Sequence, residues 1–257
     1  MTLELLFPVY NEHNRLENGI NGAAAYLQEL CKKDEFSGAA KDPLVWHFTI
    51  VDNGSTDDTA DIGRALEAAW QGKVKFESIP EKGLGAAFRH GVREADADVV
   101  GYMDIDLSTD LEALERTIRV FMNDPGTDYV NGTRFAKNAR TIGRIWYRRI
   151  TSAGLVFILH SMLGMKVTDA LCGFTFIRTS KAKELVEQCG NDNGWFYMVE
   201  LLLRAERAGM QILDLPVTFT ENYDTTVNVP ETIKNYLVRI RELRKEFRKE
   251  DDPKNRS

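Results

Sequence analysis

Asp104-Ile-Asp106 places two carboxylates two residues apart, at the end of the run Asp98-Val-Val-Gly-Tyr-Met103. That run is apolar and short, which predicts a buried strand. Residues two apart leave a strand on the same side, so both carboxylates reach past the edge of the sheet. Two such groups repel, and they are stable together when a proton or a cation neutralises them. A hard divalent ion, Mg²⁺ or Mn²⁺, on a diphosphate is one arrangement that uses both. For an isolated Asp-X-Asp a solvated turn or a helix N-cap is the plainer reading. Three further segments bear on the choice: Pro8-Val-Tyr-Asn-Glu12 (which includes Tyr10), Asp52-Asn-Gly-Ser-Thr-Asp57 and Lys82-Gly-Leu-Gly-Ala-Ala87. Glu12 and Asp52 are acceptors suited to a base or a ribose. A glycine loop lets backbone approach a ligand closely, with Lys82 adding charge. Gly83-Leu-Gly85 lacks a third glycine at the dinucleotide spacing, and no Gly-Lys-Ser/Thr occurs. Nicotinamide and P-loop readings therefore fall away.

The elements that must position these segments alternate. Strands are expected at Leu3 to Val9, His47 to Val51, Val74 to Ile79 and Asp98 to Met103, with a short extended piece at Tyr129 to Asn131. Helices are expected from about Arg15 to Cys31, after Ser55-Thr-Asp-Asp58 to about Trp70, from Leu84 to Ala95 and from Leu111 to Phe121. In the second of these, Ser55-Thr-Asp-Asp58 supplies the N-cap and an acidic first turn. This βαβαβαβ order predicts an α/β protein with a mostly parallel sheet covered by helices. Such sheets bind ligands at the carboxyl ends of their strands, where all four segments fall. Lys32 to Pro43 reads as a surface excursion, and the tail beyond Asp251 as frayed.

At 257 residues, 43% hydrophobic and 28% charged, the composition is that of a water-soluble globular domain. Cys31, Cys172 and Cys189 form neither a paired nor a metal-ligating spacing, which predicts a reducing compartment. Pro8 cuts short the N-terminal apolar run, and no signal peptide is expected. The net charge of −6 hides an asymmetry. No acidic residue lies between Asp128 and Asp169, whereas Arg134, Lys137, Arg140, Arg144, Arg148, Arg149 and Lys166 do. This predicts an anionic partner met at one place, not a general polyanion such as nucleic acid. Within that stretch Ile150 to Met165 is uncharged but shorter than the ~20 residues of a membrane span. It reads as a core helix or as a membrane-surface helix.

With these residues in view, the chain from about Leu3 to Thr220 resembles the family 2 inverting glycosyltransferases of GT-A fold. It is most similar to the dolichyl- and polyprenyl-phosphate glucosyl- and mannosyltransferases. Gly132-Thr-Arg134 resembles that family's Gly-Ser-Arg, and Asp169-Ala-Leu-Cys-Gly-Phe174 its Asp-x-x-Cys-Gly-Phe. Trp195-Phe-Tyr-Met-Val-Glu-Leu-Leu202 and Leu213-Asp-Leu-Pro-Val217 follow in the family's order. The resemblance implies a nucleotide-diphosphate sugar donor, UDP- or GDP-linked, held by Pro8, Tyr10, Glu12, Asp52, Lys82, Gly83 and Asp104. It implies that Asp52 meets the base and that Asp104 and Asp106 handle Mg²⁺ or Mn²⁺ and the diphosphate. It also implies that Arg134 and one of Arg148 or Arg149, with Ser152, hold the phosphate of a polyprenyl acceptor. A phosphate oxygen is already an anionic nucleophile. A hydroxyl acceptor would instead need a carboxylate base, for which Asp169 and Glu200 are the candidates. The plainer roles are a turn cap for Asp169 and a helix pair with Arg204 for Glu200.

Two stretches depart from the family pattern. After Asp106 the chain continues Leu107-Ser108-Thr109, and in place of Arg-x-x-Gly-x-Ser it has Asn222-Tyr-Asp-Thr-Thr-Val-Asn228. The expected organisation is a catalytic domain over 1–220 and a helical extension over 221–257. In the extension Ile233, Tyr236, Leu237, Ile240, Leu243 and Phe247 form a stripe. That stripe packs on the domain or on a second copy of the chain in a homodimer, or lies on a membrane as a basic helix. The expected location is cytoplasmic, peripheral at the inner face of an anionic membrane. The alternatives are transfer to a glycan hydroxyl and a sugar-nucleotide nucleotidyltransferase, whose Gly-x-Gly-x-Arg loop is missing from the first strand.

Overall fold

The computed structural model describes residues 1–222 and 229–252. Its elements run β1 (Thr2–Val9), α1 (Leu16–Leu30), β2 (Val45–Asp52), α2 (Thr59–Ala69), β3 (Val74–Ser78), α3 (Leu84–Glu94) and β4 (Val99–Met103). Then come α4 (Leu111–Asn123), β5 (Tyr129–Thr133), β6 (Arg140–Ile142), α5 (Trp146–Leu163), β7 (Phe174–Arg178) and α6 (Thr179–Gln188). The chain ends with α7 (Phe196–Arg207), β8 (Ile212–Pro216), β9 (Thr218–Thr220) and α8 (Val229–Asp251). Seven strands form one sheet in the order β3-β2-β1-β4-β7-β5-β8, and β6 and β9 form a small ribbon. Only β7 runs antiparallel to its neighbours β4 and β5 within the seven-stranded sheet.

Parallel strands are covered on both faces, so their residues feed two cores. In β1, Leu3, Leu5, Phe7 and Val9 enter the core under α1 and α4, while Leu6 enters the one formed with α3, α6 and α7. The apolar run that predicts β4 is buried at every position. Tyr236, Ile240, Leu243 and Phe247 of α8 are buried in the second core, so the C-terminal stripe packs on the domain itself. Arg204 secures it with ion pairs to Glu246 and Glu250.

Several local expectations change. Ser55 caps no helix: its Oγ accepts the Asn11 amide at 2.9 Å, and α2 begins four residues later. There the Thr59 amide donates to Asp57 Oδ1 at 3.0 Å. The segment 150–165 is a core helix on one face only. Leu155, Val156 and Leu159 of α5 are buried, while Ile150 and Phe157 stay exposed. Lys32 to Pro43 is irregular as expected, yet it buries Phe36 in the first core. Apart from Asn222, the stretch 222–228 that departs from the family pattern lies outside the described residues, as do 253–257 of the tail. Among the described residues no helix is long and apolar enough to cross a membrane.

Candidate active site

The register of the sheet brings the sequence motifs to one edge. Val9 pairs with Asp52 and Asp52 with Ser78, so β1, β2 and β3 end side by side. The chain winds outward from β1 through β2 to β3, then returns to place β4 on the other side of β1. A crevice opens where the winding reverses. The loops that line it are stitched together. Asn11 accepts the Thr56 amide at 2.8 Å, and the Glu12 amide donates to Thr59 Oγ1 at 2.8 Å. Asp52 is buried at the floor, accepting the Ser55 amide at 3.1 Å and the Ser78 hydroxyl at 3.2 Å. Lys82 stands at the rim with its Nζ 3.7 Å from the Tyr10 ring centre, a cation–π contact. The glycine loop departs from expectation. Gly83 has φ +124°, and a Cβ there would lie 2.0 Å from the Asn193 carbonyl oxygen. Its amide donates to Asn53 Oδ1 at 3.1 Å. The close approach is to the chain's own backbone, so Gly83 shapes the donor side without offering its amide.

Asp104 and Asp106 leave β4 into this crevice. Asp104 accepts the Tyr102 hydroxyl at 2.5 Å, and its other oxygen lies where a Cβ on Gly173 would approach to 1.9 Å. Only glycine fits there, which gives the Cys-Gly-Phe segment its physical meaning. Burial pushes Asp104 up to about 7. Asp106 and Glu12 push the same way, while the Tyr102 hydroxyl and Arg134 oppose them. Burial also raises Glu12, with Arg15 opposing and Asp106 adding to the rise. Three carboxylates share one field and one is driven toward its neutral form, which is chemistry that a hard divalent cation between Asp104 and Asp106 would relieve. Among the described residues, the one group of three whose ligating atoms lie within 4.8 Å of one another is His13, Asp57 and Asp58. It is largely exposed, and His13 Nδ1 is spent on Asp57 Oδ2 at 3.1 Å. Nothing in the sequence singles it out.

The residues expected to meet an acceptor, Arg134, Arg148 and Ser152, come from the end of β5 and from α5, close to the segment after β9. Asp169 is fully buried, and all of its acceptor capacity is used. Oδ2 accepts Arg134 Nε at 2.8 Å and the Arg134 amide at 3.1 Å; Oδ1 accepts Arg134 Nη2 at 3.1 Å and the Leu171 amide at 2.9 Å. With both oxygens engaged by Arg134 and the Leu171 amide, Asp169 has no open lone pair for an acceptor's proton, and its place in the structure departs from the expected base role. Glu200 is likewise buried, with Oε1 on Arg204 Nε at 2.8 Å and on the Gly190 amide at 2.8 Å. Arg148 donates Nη1 to Glu221 Oε1 at 2.5 Å, whereas Arg149 points outward. Arg148 is thus the member of that pair in the cluster. Arg144, expected to face an anionic surface, is only 8% exposed. It donates Nη2 to Ser152 Oγ at 2.5 Å. Burial, and then the Arg134 charge, lower its pKa. Arg144 and Glu221 are the residues that sequence reading misses. Their partners are 77 residues apart or fewer but meet only through the ribbon of β6 and β9.

A comparison with protein families now identifies the frame. The model of glycosyl transferase family 2 matches residues 5–186. The chain is a family 2 glycosyltransferase. The glycosyltransferase is 26% identical over 231 residues to glycosyltransferase AglD of Haloferax volcanii, covering 90% of this chain and 35% of that one. It is 27% identical over 237 residues to a dolichyl-phosphate β-glucosyltransferase of Trichomonas vaginalis, covering 90% of this chain and 70% of that one. The chain thus spans about a third of the first relative and more than two thirds of the second. Among solved structures it resembles glucosyl-3-phosphoglycerate synthase of Mycobacterium tuberculosis, with a TM-score of 0.63 at 18% identity, over 93% of this chain and 80% of that one. That synthase has been solved with Mn²⁺, UDP and phosphoglyceric acid. At that identity the likeness speaks for the fold, which is GT-A as expected.

Proposed function

We propose that this glycosyltransferase moves a hexose from a UDP- or GDP-linked sugar to a polyprenyl phosphate at the cytoplasmic face of a membrane. One observation carries the reading: helix α5 has two working faces. Toward the crevice it presents Arg148 and Ser152, beside Arg144. Away from it stand Trp146, Ile150 and Phe157, exposed by 72%, 61% and 70%. A contiguous apolar face of this kind on a soluble protein marks an interaction surface. Arg140, Arg149 and Lys137 are exposed around it, which suits an anionic bilayer. A phosphate headgroup delivered from that surface reaches the arginines on the same helix. Names of relatives add support, since the Trichomonas enzyme is called a dolichyl-phosphate glucosyltransferase.

In this reading Asp104 and Asp106, with Glu12 beside them, would hold Mg²⁺ or Mn²⁺. When bound, the ion supplies positive charge to the departing diphosphate. Arg148, Arg144 and Ser152 fix the acceptor phosphate, whose oxygen attacks without a base. The engagement of Asp169 and Glu200 in ion pairs favours such an acceptor over a neutral hydroxyl. Positioning and electrostatic stabilisation then do the catalysis.

Two measurements test the division. Asp52→Ala should weaken UDP or GDP binding by calorimetry about tenfold, the scale of one lost buried hydrogen bond. Arg148→Ala should leave that binding unchanged and raise the acceptor requirement; equal loss in both variants rejects the division. For the membrane, flotation with anionic liposomes should show binding that falls with ionic strength. Arg140→Glu with Arg149→Glu should weaken it at low salt, and Trp146→Ser with Phe157→Ser at any salt. No association even at low salt would favour a soluble phosphate-bearing acceptor.

A further inference from the structure

The acceptor arginines already hold an anion, and it belongs to the chain. Glu221 is only 9% exposed and pairs through one oxygen with Arg148 at 2.5 Å, while its other oxygen lies 3.9 Å from Arg144 Nε. Its backbone is fixed, because its amide donates to the Ile142 carbonyl at 3.0 Å at the end of the β6–β9 ribbon. The side chain can leave without moving the ribbon. The Nε groups of both Arg144 and Arg148 are buried and lack a hydrogen-bond partner, so the clasp leaves donor capacity unused. The next residue, Asn222, reaches Asp106 Oδ2 at 3.4 Å, which sets Glu221 where the acceptor side meets the donor side.

We infer that Glu221 is the resident counter-ion of the acceptor site, and that the incoming phosphate monoester replaces its carboxylate between Arg144 and Arg148. This rests on the acceptor reading above. Because Arg134 is neutralised by Asp169, the free charge of the site is two arginines less one glutamate. A dianionic monoester displaces the carboxylate effectively, and a monoanion such as a phosphodiester or a carboxylate does so poorly. Glu221 thereby raises the affinity that any anion needs to enter the site, a threshold that the doubly charged terminal phosphate meets most easily.

The test uses the full chain, with a short prenyl phosphate in detergent and 3-phosphoglycerate as probes in calorimetry, and UDP or GDP binding as the control. Glu221→Gln keeps the size of the side chain and removes the competing charge. It should tighten monoester binding about tenfold, the scale of one close like charge at a partly shielded site. It should tighten binding of the matching methyl phosphodiester as well, by no more than that of the monoester because the diester carries less charge, with the control unchanged. Glu221→Ala should act in the same direction. Tightening with the prenyl phosphate alone assigns the anion to a lipid headgroup, and with 3-phosphoglycerate alone to a soluble monoester; both support the counter-ion role. Unchanged or weaker monoester binding in the variants overturns it. Absence of binding by wild type and variants alike overturns the acceptor reading, and this inference with it.

Discussion

Asp106→Asn should lower turnover by about two orders of magnitude or more, the usual size of an electrostatic contact made at developing charge. The fold should survive, because the side chain changes by one atom and Asp106 lies in a turn and not in the packed strand. Oδ1 accepts the Ser108 amide at 2.9 Å, and the amide oxygen of asparagine can keep that bond. What asparagine cannot supply is the second negative charge of the set formed with Asp104 and Glu12. Excess EDTA should reproduce the loss in the wild type, and added Mn²⁺ should restore it there but not in the variant. Full activity in EDTA would remove the cation from this site and leave Asp104 to be neutralised by its proton.

The donor side was legible because it obeys local rules. Each motif directly follows a strand, and β1 to β4 are predicted by short apolar runs, so Glu12, Asp52, Lys82 and Asp104 reach one edge by topology alone. The cluster of Arg134, Arg144, Arg148, Asp169 and Glu221 depends on contacts that no local pattern encodes. Arg144 looked like one of seven cations on a basic stretch. It turns inward only because β6 pairs with β9 and brings Glu221 against it. Asp169 looked like a candidate base because a carboxylate next to a motif carries no record of its partner. The partner lies 35 residues earlier, at the end of β5. Phe174–Arg178 also escaped notice as a strand, since only Phe174 falls in a family signature and the four residues after it carry no alternation of their own. It is the antiparallel strand that lets Gly173 approach Asp104. The glycines of the third loop were expected to admit a ligand, whereas Gly83 packs against the Asn193 backbone and Gly85 against Asp192 and Tyr197.

Asp169→Asn should be among the most destabilising single changes in the crevice. Burial works against the charge of Arg134, and the Asp169 carboxylate outweighs it and holds the guanidinium ionised. Asparagine leaves that cation without its counter-charge, and removing one partner of a buried pair costs about 3–5 kcal/mol. For a chain of this size each kcal/mol moves the melting temperature by roughly 2–4 °C, so a drop on the order of 10 °C is expected by calorimetric scanning. Replacing both partners by apolar residues of similar volume, Arg134→Met with Asp169→Leu, should recover a large part of the loss, because no charge is then stranded. If Asp169 instead served as a base, Asp169→Asn would melt close to the wild type. It would lose turnover, and the acidic limb of the pH–rate profile would vanish. The two outcomes separate cleanly because Asp169 touches Arg134 through three of its four hydrogen bonds, and Arg134 lies against the Phe219 ring at 5.3 Å. Loss of the pair therefore loosens the packing between the end of β5 and β9.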